Sequence, residues 1–117
     1  MIISFIFGFS LNELFKKNNN KSEPKEGIYT VKKVIDGDSI ILDTGEEVRY
    51  QGIDTPEPNT RWGTEAKTLN ENLVLGKKVR IELDRTKLDI YGRTLAYVWI
   101  RDTMVNEKLL EEGYAKV

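Results

Sequence analysis

Two acidic clusters and two arginines are the groups in this chain best equipped for chemistry. Asp36-Gly37-Asp38 and Asp54-Thr55-Pro56-Glu57 stand at the ends of residues 36–57, with Arg49 between them, and Arg93 follows Tyr91-Gly92 farther on. Each alone has an ordinary reading: Asp-Gly is a turn signal, Pro56 holds the residue before it extended, and a strand arginine is a surface charge. Together they describe something more specific. Bringing the two ends of residues 36–57 together would gather Asp38, Asp54 and Glu57 beside a cation. Two aspartates and a backbone carbonyl form a hard-oxygen set suited to Ca²⁺, which takes about six to eight oxygens and fills vacancies with water. A carboxylate just outside that set can act as general base on an attacking water. Arginines can brace a phosphorus centre under attack through paired N–H contacts that lysine does not supply.

Composition narrows the alternatives. The chain has no cysteine, which excludes disulfides, thiolate zinc sites and cysteine nucleophiles, and no histidine, which removes the commonest general base and transition-metal ligand. Any chemistry must therefore run on carboxylates, arginine, lysine, hydroxyls and a hard metal ion. With 117 residues and a formal net charge of −1, the chain holds one ordinary domain plus a tail, and a basic stripe can still hide within the neutral total.

The elements that must position these groups follow from periodicity. β-branched residues over 28–35, 39–42 and 48–53, separated by Asp36-Gly37 and Asp43-Thr44-Gly45-Glu46, predict a three-stranded meander. Over residues 64–75 the period becomes helical through Ala66, Leu69 and Leu73, with Gly76 where a helix ends. Residues 77–83 and 92–100 predict two more strands, 84–89 a polar loop between them, and 104–112 a second helix closed by Gly113. The expected fold is mainly β with α (α+β), a five-stranded Greek-key barrel of the OB type with two helices. Such barrels bind oligonucleotides or sugars on an open face.

Ahead of this domain, residues 1–26 read as a hydrophobic segment and a flexible linker, so the folded domain is expected over 27–117. Residues 1–15 (MIISFIFGFSLNELF) are too short an apolar run to span a bilayer and lack a signal peptide's basic start and small-residue cleavage site. They read as a misassigned start, an export-signal remnant or a segment making peripheral membrane contact. Their exposed Phe and Ile tilt the expected location toward secreted or membrane-associated, with cytoplasmic left open. Residues 16–26 (KKNNNKSEPKE) have the composition of a linker.

From about Tyr29 to Val117 the sequence resembles the thermonuclease family, the staphylococcal nuclease-like domains. The resemblance rests on Ile35-Asp36-Gly37-Asp38-Ser39, on Arg49 followed by Ile53-Asp54-Thr55-Pro56-Glu57, and on Gly63-Thr64-Glu65-Ala66. It continues through residues 89–98 (DIYGRTLAYV), Met104-Val105-Asn106-Glu107 and Gly113-Tyr114-Ala115-Lys116-Val117. It implies a calcium-dependent endonuclease acting as a monomer on DNA or RNA, with single-stranded or frayed strands favoured, and leaving 3′-phosphate ends. Carried over by position, Asp38, Asp54 and the Thr55 carbonyl would ligate calcium, Glu57 would be the general base, Arg49 and Arg93 would hold the phosphate, and Tyr91 would meet a terminal phosphate.

The chain departs from the family's pattern at four places. Ser39 replaces a threonine, Ile90 replaces the basic residue often found before Tyr-Gly-Arg, and residues 58–62 form a short loop without the family's lysines. A tyrosine-bearing segment and a third helix usually follow the position of Val117, so the usual C-terminal helix is expected to be missing. The rival to an enzyme is therefore a catalytically weak or vestigial OB-fold module that binds nucleic acid.

Overall fold

A computed structural model describes residues 23–117. The segment expected to touch a membrane, and most of the linker, lie outside the described residues. Six strands, β1 (Gly27–Asp36), β2 (Ser39–Leu42), β3 (Glu47–Tyr50), β4 (Lys78–Leu88), β5 (Thr94–Ile100) and β6 (Thr103–Met104), lie in the order β3-β2-β1-β4-β5-β6. A parallel pairing of β3 with β5, Arg49 opposite Leu95, closes the first five into the expected barrel, and the two-residue β6 is an addition at its rim. Closure leaves none of those five strands as an open edge of unpaired amide groups.

β1 makes this closure possible by serving two partners. Its first residues, from Gly27 to Thr30, pair with β4, and Val31 onward pairs with β2, with register irregularities after Val31 and Val34. Such irregularities bend a strand and increase its twist. Alternation sets the core: Val79 and Ile81 of β4 and Ala96 and Val98 of β5 point inward with Val31, Val34, Ile40, Leu42, Val48 and Tyr50. Val105 and Leu109 of helix α2 (Val105–Glu111) join the same core.

Helix α1 (Arg61–Val74) starts three residues before its apolar period does. Thr60 explains the difference, because its hydroxyl accepts from the Gly63 N–H at 3.1 Å and so satisfies a helix-start donor. The inward stripe of α1 is Gly63, Ala66, Asn70 and Val74, spaced three or four residues apart, with Leu69 and Leu73 packed beside it.

Two strand limits also differ from the sequence reading. β3 ends at Tyr50, before the Gln51-Gly52 turn, whereas a strand through Ile53 was expected. β4 runs on to Leu88, replacing the expected polar loop. That extension has no buried alternation to announce it. It is held by the Leu88–Thr94 pairing and by the Tyr97 hydroxyl on Asp84 Oδ2 at 3.0 Å.

Candidate active site

The inward stripe of α1 sets the loops of the site one by one. A Cβ on Gly63 would lie 1.8 Å from the Glu57 carbonyl oxygen, so only glycine lets the helix start pack on that backbone. One turn on, Ala66 meets Gly37, where a Cβ would fall 2.7 Å from the Ala66 methyl and 2.9 Å from Thr55 Oγ1. The acidic corner at Asp36–Asp38 is thus wedged between α1 and Thr55. At the next turn, Asn70 donates to the Asp36 carbonyl at 3.0 Å and accepts from the Tyr50 hydroxyl at 2.6 Å. Both side chains are fully buried, and burial is the main reason the Tyr50 phenol is pushed far above its ordinary pKa. The Tyr50 amide donates to the Asp38 carbonyl at 2.8 Å, so the hydrogen-bonded pair of Tyr50 and Asn70 holds the corner from both sides.

Arg49 joins the two acidic clusters. Ser39 pairs with Arg49 across β2 and β3, which brings the guanidinium to the corner. Its Nη1 lies 3.1 Å from Asp38 Oδ2 and its Nη2 3.0 Å from Asp54 Oδ1, while Nη1 also donates to the Tyr50 carbonyl at 2.9 Å. Asp38 is buried, accepting from the Thr55 amide at 3.0 Å and the Ser39 hydroxyl at 3.3 Å. Burial raises its pKa above the ordinary carboxylate value and Asp36 adds to this, outweighing the Thr55 N–H and Arg49. Asp54, by contrast, has a side chain 62% exposed and holds the C-terminal segment through paired backbone bonds with Lys116 at 2.7 and 2.9 Å.

Barrel closure brings in the second arginine. Because Arg49 lies opposite Leu95, Arg93, immediately before β5, stands two residues earlier and level with Glu47. Its Nε bonds Asp89 Oδ2 at 2.7 Å and its Nη1 lies 3.5 Å from Glu47. Asp89 Oδ1 accepts the amides of Tyr91 and Arg93 at 2.9 and 2.8 Å, shaping the turn that carries both residues. For Asp89, burial is the largest effect and acts upward, but the Arg93 amide and guanidinium with the Tyr91 amide together hold the pKa below the ordinary value. Tyr91 is exposed, with the Arg93 guanidinium 5.5 Å from its ring centre.

Arg49, Asp54, Tyr91 and Arg93 line one cleft of about 500 Å³. Asp54 also lines a second cleft with Thr55, Glu57 and Tyr114. Of the residues singled out from sequence, Arg49, Asp54, Tyr91 and Arg93 share the first cleft and Asp54, Thr55 and exposed Glu57 the second. Buried Asp38 lines neither and is joined to them through Arg49 and the Thr55 amide. Among the described residues no three carboxylates gather as a ready ligand cage. The donors nonetheless fit a hard divalent ion: Asp38 and Asp54 already converge on one cation, the Arg49 guanidinium, and Thr55 follows Asp54 directly.

Sequence reasoning missed Tyr50, Asn70, Glu47 and Asp89 as the groups that hold the site. Asn70 left a trace, since it is a polar residue on the helix's inward stripe. Asn106 also belongs here: its amide donates to the Gln51 and Ala96 carbonyls at 2.9 and 3.2 Å and accepts the Val98 amide at 2.9 Å, fixing the turn that leads to Asp54.

Comparison with known proteins adds independent findings. Residues 47–117 match the family described as staphylococcal nuclease homologue. The chain is 45% identical over 111 residues to a thermonuclease of Staphylococcus intermedius, covering 87% of this chain and 65% of that protein. A thermonuclease of Staphylococcus hyicus is 44% identical over 86% of this chain and 64% of its own length. Endonuclease YncB of Bacillus subtilis is 38% identical over 85% of this chain and 52% of its own. The chain thus spans between half and two thirds of the length of these relatives.

Proposed function

The chain belongs to the staphylococcal nuclease homologues, and on that premise we propose that it is a calcium-dependent phosphodiesterase cutting within single-stranded or frayed DNA or RNA. What carries this reading is that Arg49 and Arg93 line one cleft with Asp54, each arginine already held in place by carboxylates. Phosphoryl oxygens gain charge as phosphorus is attacked, and planar, fixed N–H donors stabilise that charge without having to reorganise.

Asp38, Asp54 and the Thr55 carbonyl would hold the calcium ion, which when bound neutralises charge on a phosphate oxygen. Arg49 and Arg93 donate to the remaining oxygens and orient the phosphate. Glu57 takes a proton from the attacking water as the water oxygen bonds to phosphorus. The bond from phosphorus to the 5′ sugar oxygen breaks, and that oxygen takes a proton from solvent and leaves as a hydroxyl. The phosphate stays on the 3′ end of the other fragment. Tyr91, exposed on the same cleft as the two arginines, meets the terminal phosphate of a bound strand. Asp54 lines both clefts, so a strand lying in the two of them would cross the site between its ends, the arrangement that internal cleavage uses.

The test is hydrolysis of a labelled single-stranded oligonucleotide by the full chain. Chelation should abolish product and calcium restore it, with Asp54→Asn raising the calcium needed for half-activation by on the order of tenfold or more, since ligand charge sets affinity. A rate indifferent to chelation contradicts the proposal.

A further inference from the structure

The second cleft has chemistry that the phosphate-holding groups do not use. Trp62, on the first turn of α1, is a large aromatic residue left 56% exposed. Its ring lies 6.5 Å from that of Tyr114, the two planes inclined by 50°. Tyr114 itself lines the cleft with Asp54, Thr55, Pro56 and Glu57. The Arg61 guanidinium sits 5.4 Å from the Trp62 ring centre and also reaches Glu65 at 3.4 Å, while its side chain remains 81% exposed. Exposed Lys116 lines the same cleft and is fixed by its backbone pairing with Asp54. Tyr114 and Lys116 therefore line the cleft that holds Glu57, and Trp62, with Arg61 over one face of its ring, stands directly beside Tyr114.

The position is built rather than incidental. Gly63, next to Trp62, packs directly on the Glu57 backbone, and the Thr60 hydroxyl that caps the helix also donates to the Glu57 carbonyl at 2.7 Å. Tyr114 is held from the other side, its amide donating to the Leu109 carbonyl at 3.0 Å. Trp62 and Glu57 thus belong to one packed turn, and Tyr114 faces them from the end of helix α2.

The geometry points to a nucleobase-stacking subsite formed by Trp62 and Tyr114, with Arg61 and Lys116 taking the adjoining backbone phosphate. The ligand class is a single-stranded nucleic acid, and the inference rests on the nuclease reading above. A strand with one phosphate between Arg49 and Arg93 continues past Asp54 into the cleft of Glu57 and Tyr114. There its next base meets an aromatic face, which every base stacks on irrespective of sequence. Arginine beside an aromatic ring favours the same ligand through its contacts with both phosphate and base.

The test compares two strands of about eight nucleotides, within the range an OB barrel covers. One is oligothymidylate and the other an abasic strand with the same backbone. Affinities of the full chain are measured in chelator, so that both strands stay intact, by displacement of a fluorescent oligonucleotide. Trp62→Ala should weaken oligothymidylate binding between about 5-fold and about 150-fold, the range that loss of one stacked base converts to. Its affinity for the abasic strand should match wild type, and Trp62→Phe should restore most of the loss. Equal weakening on both strands, or none on oligothymidylate, overturns the subsite. If wild type cleaves with calcium while Trp62→Ala binds oligothymidylate normally, the subsite alone fails. If wild type neither binds nor cleaves, the nuclease reading fails with it.

Discussion

Asn70→Ala removes a side chain that touches no substrate, yet it should damage both the fold and the acidic corner. Asn70 makes two buried hydrogen bonds, accepting from the Tyr50 hydroxyl at 2.6 Å and donating to the Asp36 carbonyl at 3.0 Å. Truncation leaves the Tyr50 hydroxyl with no acceptor in the barrel interior, at a cost of about 1–3 kcal/mol, and the Asp36 carbonyl loses a bond worth about 1 kcal/mol. The expected destabilisation is therefore about 2–4 kcal/mol, read from the midpoint of denaturant unfolding at constant slope. Tyr50→Phe orphans only the asparagine oxygen and should cost about 1–2 kcal/mol. In the double variant the orphaned hydroxyl is gone, so the two effects should fall short of additivity by roughly 1 kcal/mol or more. The Asn70 bond to the Asp36 carbonyl fixes one side of Gly37, and the Tyr50 that Asn70 anchors holds Asp38 on the other. Calcium affinity should therefore also fall by about 10- to 100-fold, as when groups supporting a metal ligand are lost. Strict additivity, or unchanged calcium affinity in a folded Asn70→Ala chain, would refute the positioning argument.

Two further outcomes test other parts of the site. Arg93→Lys keeps the charge but loses the planar fork, so kcat/KM on an oligonucleotide should drop by about 10²–10³-fold, measured by initial rates. Asp89 has a pKa lower in the folded chain than its ordinary value, so its stabilising contribution is complete above about pH 4 and is lost as pH falls through the folded value. Thermal melts of wild type and Asp89→Asn should accordingly differ most at pH 7, and the difference should shrink as pH falls below about 4.

Much of this was legible in the sequence, for physical reasons that differ by residue. Asp38, Arg49, Asp54 and Glu57 stood out only in combination, because each alone is an ordinary turn, loop or surface residue while together they supply hard oxygen donors beside a cation. The meander and helices followed from alternation and period. The extension of β4 to Leu88 was not legible, because its side chains are mostly exposed and it is held by the Leu88–Thr94 pairing and the Tyr97–Asp84 bond rather than by buried alternation. Nor was the join between Arg49 and Arg93 open to local reading. It depends on the parallel β3–β5 pairing between strands far apart in sequence, which periodicity does not report. Asn70, Tyr50 and Asn106 act through buried hydrogen bonds to carbonyls on other elements, and a partner of that kind is visible only once the chain has folded.

The central claim is that Glu57, on the second cleft beside Asp54, activates the water that attacks a phosphate held by Arg49 and Arg93. Its most direct test is a calcium-titrated oligonucleotide assay of wild type and Glu57→Gln, with strand binding measured in parallel. The glutamine variant should bind the strand as wild type does and cleave it about 10²–10⁴-fold more slowly, the usual contribution of a general base. Equal cleavage rates for the two proteins would contradict the claim.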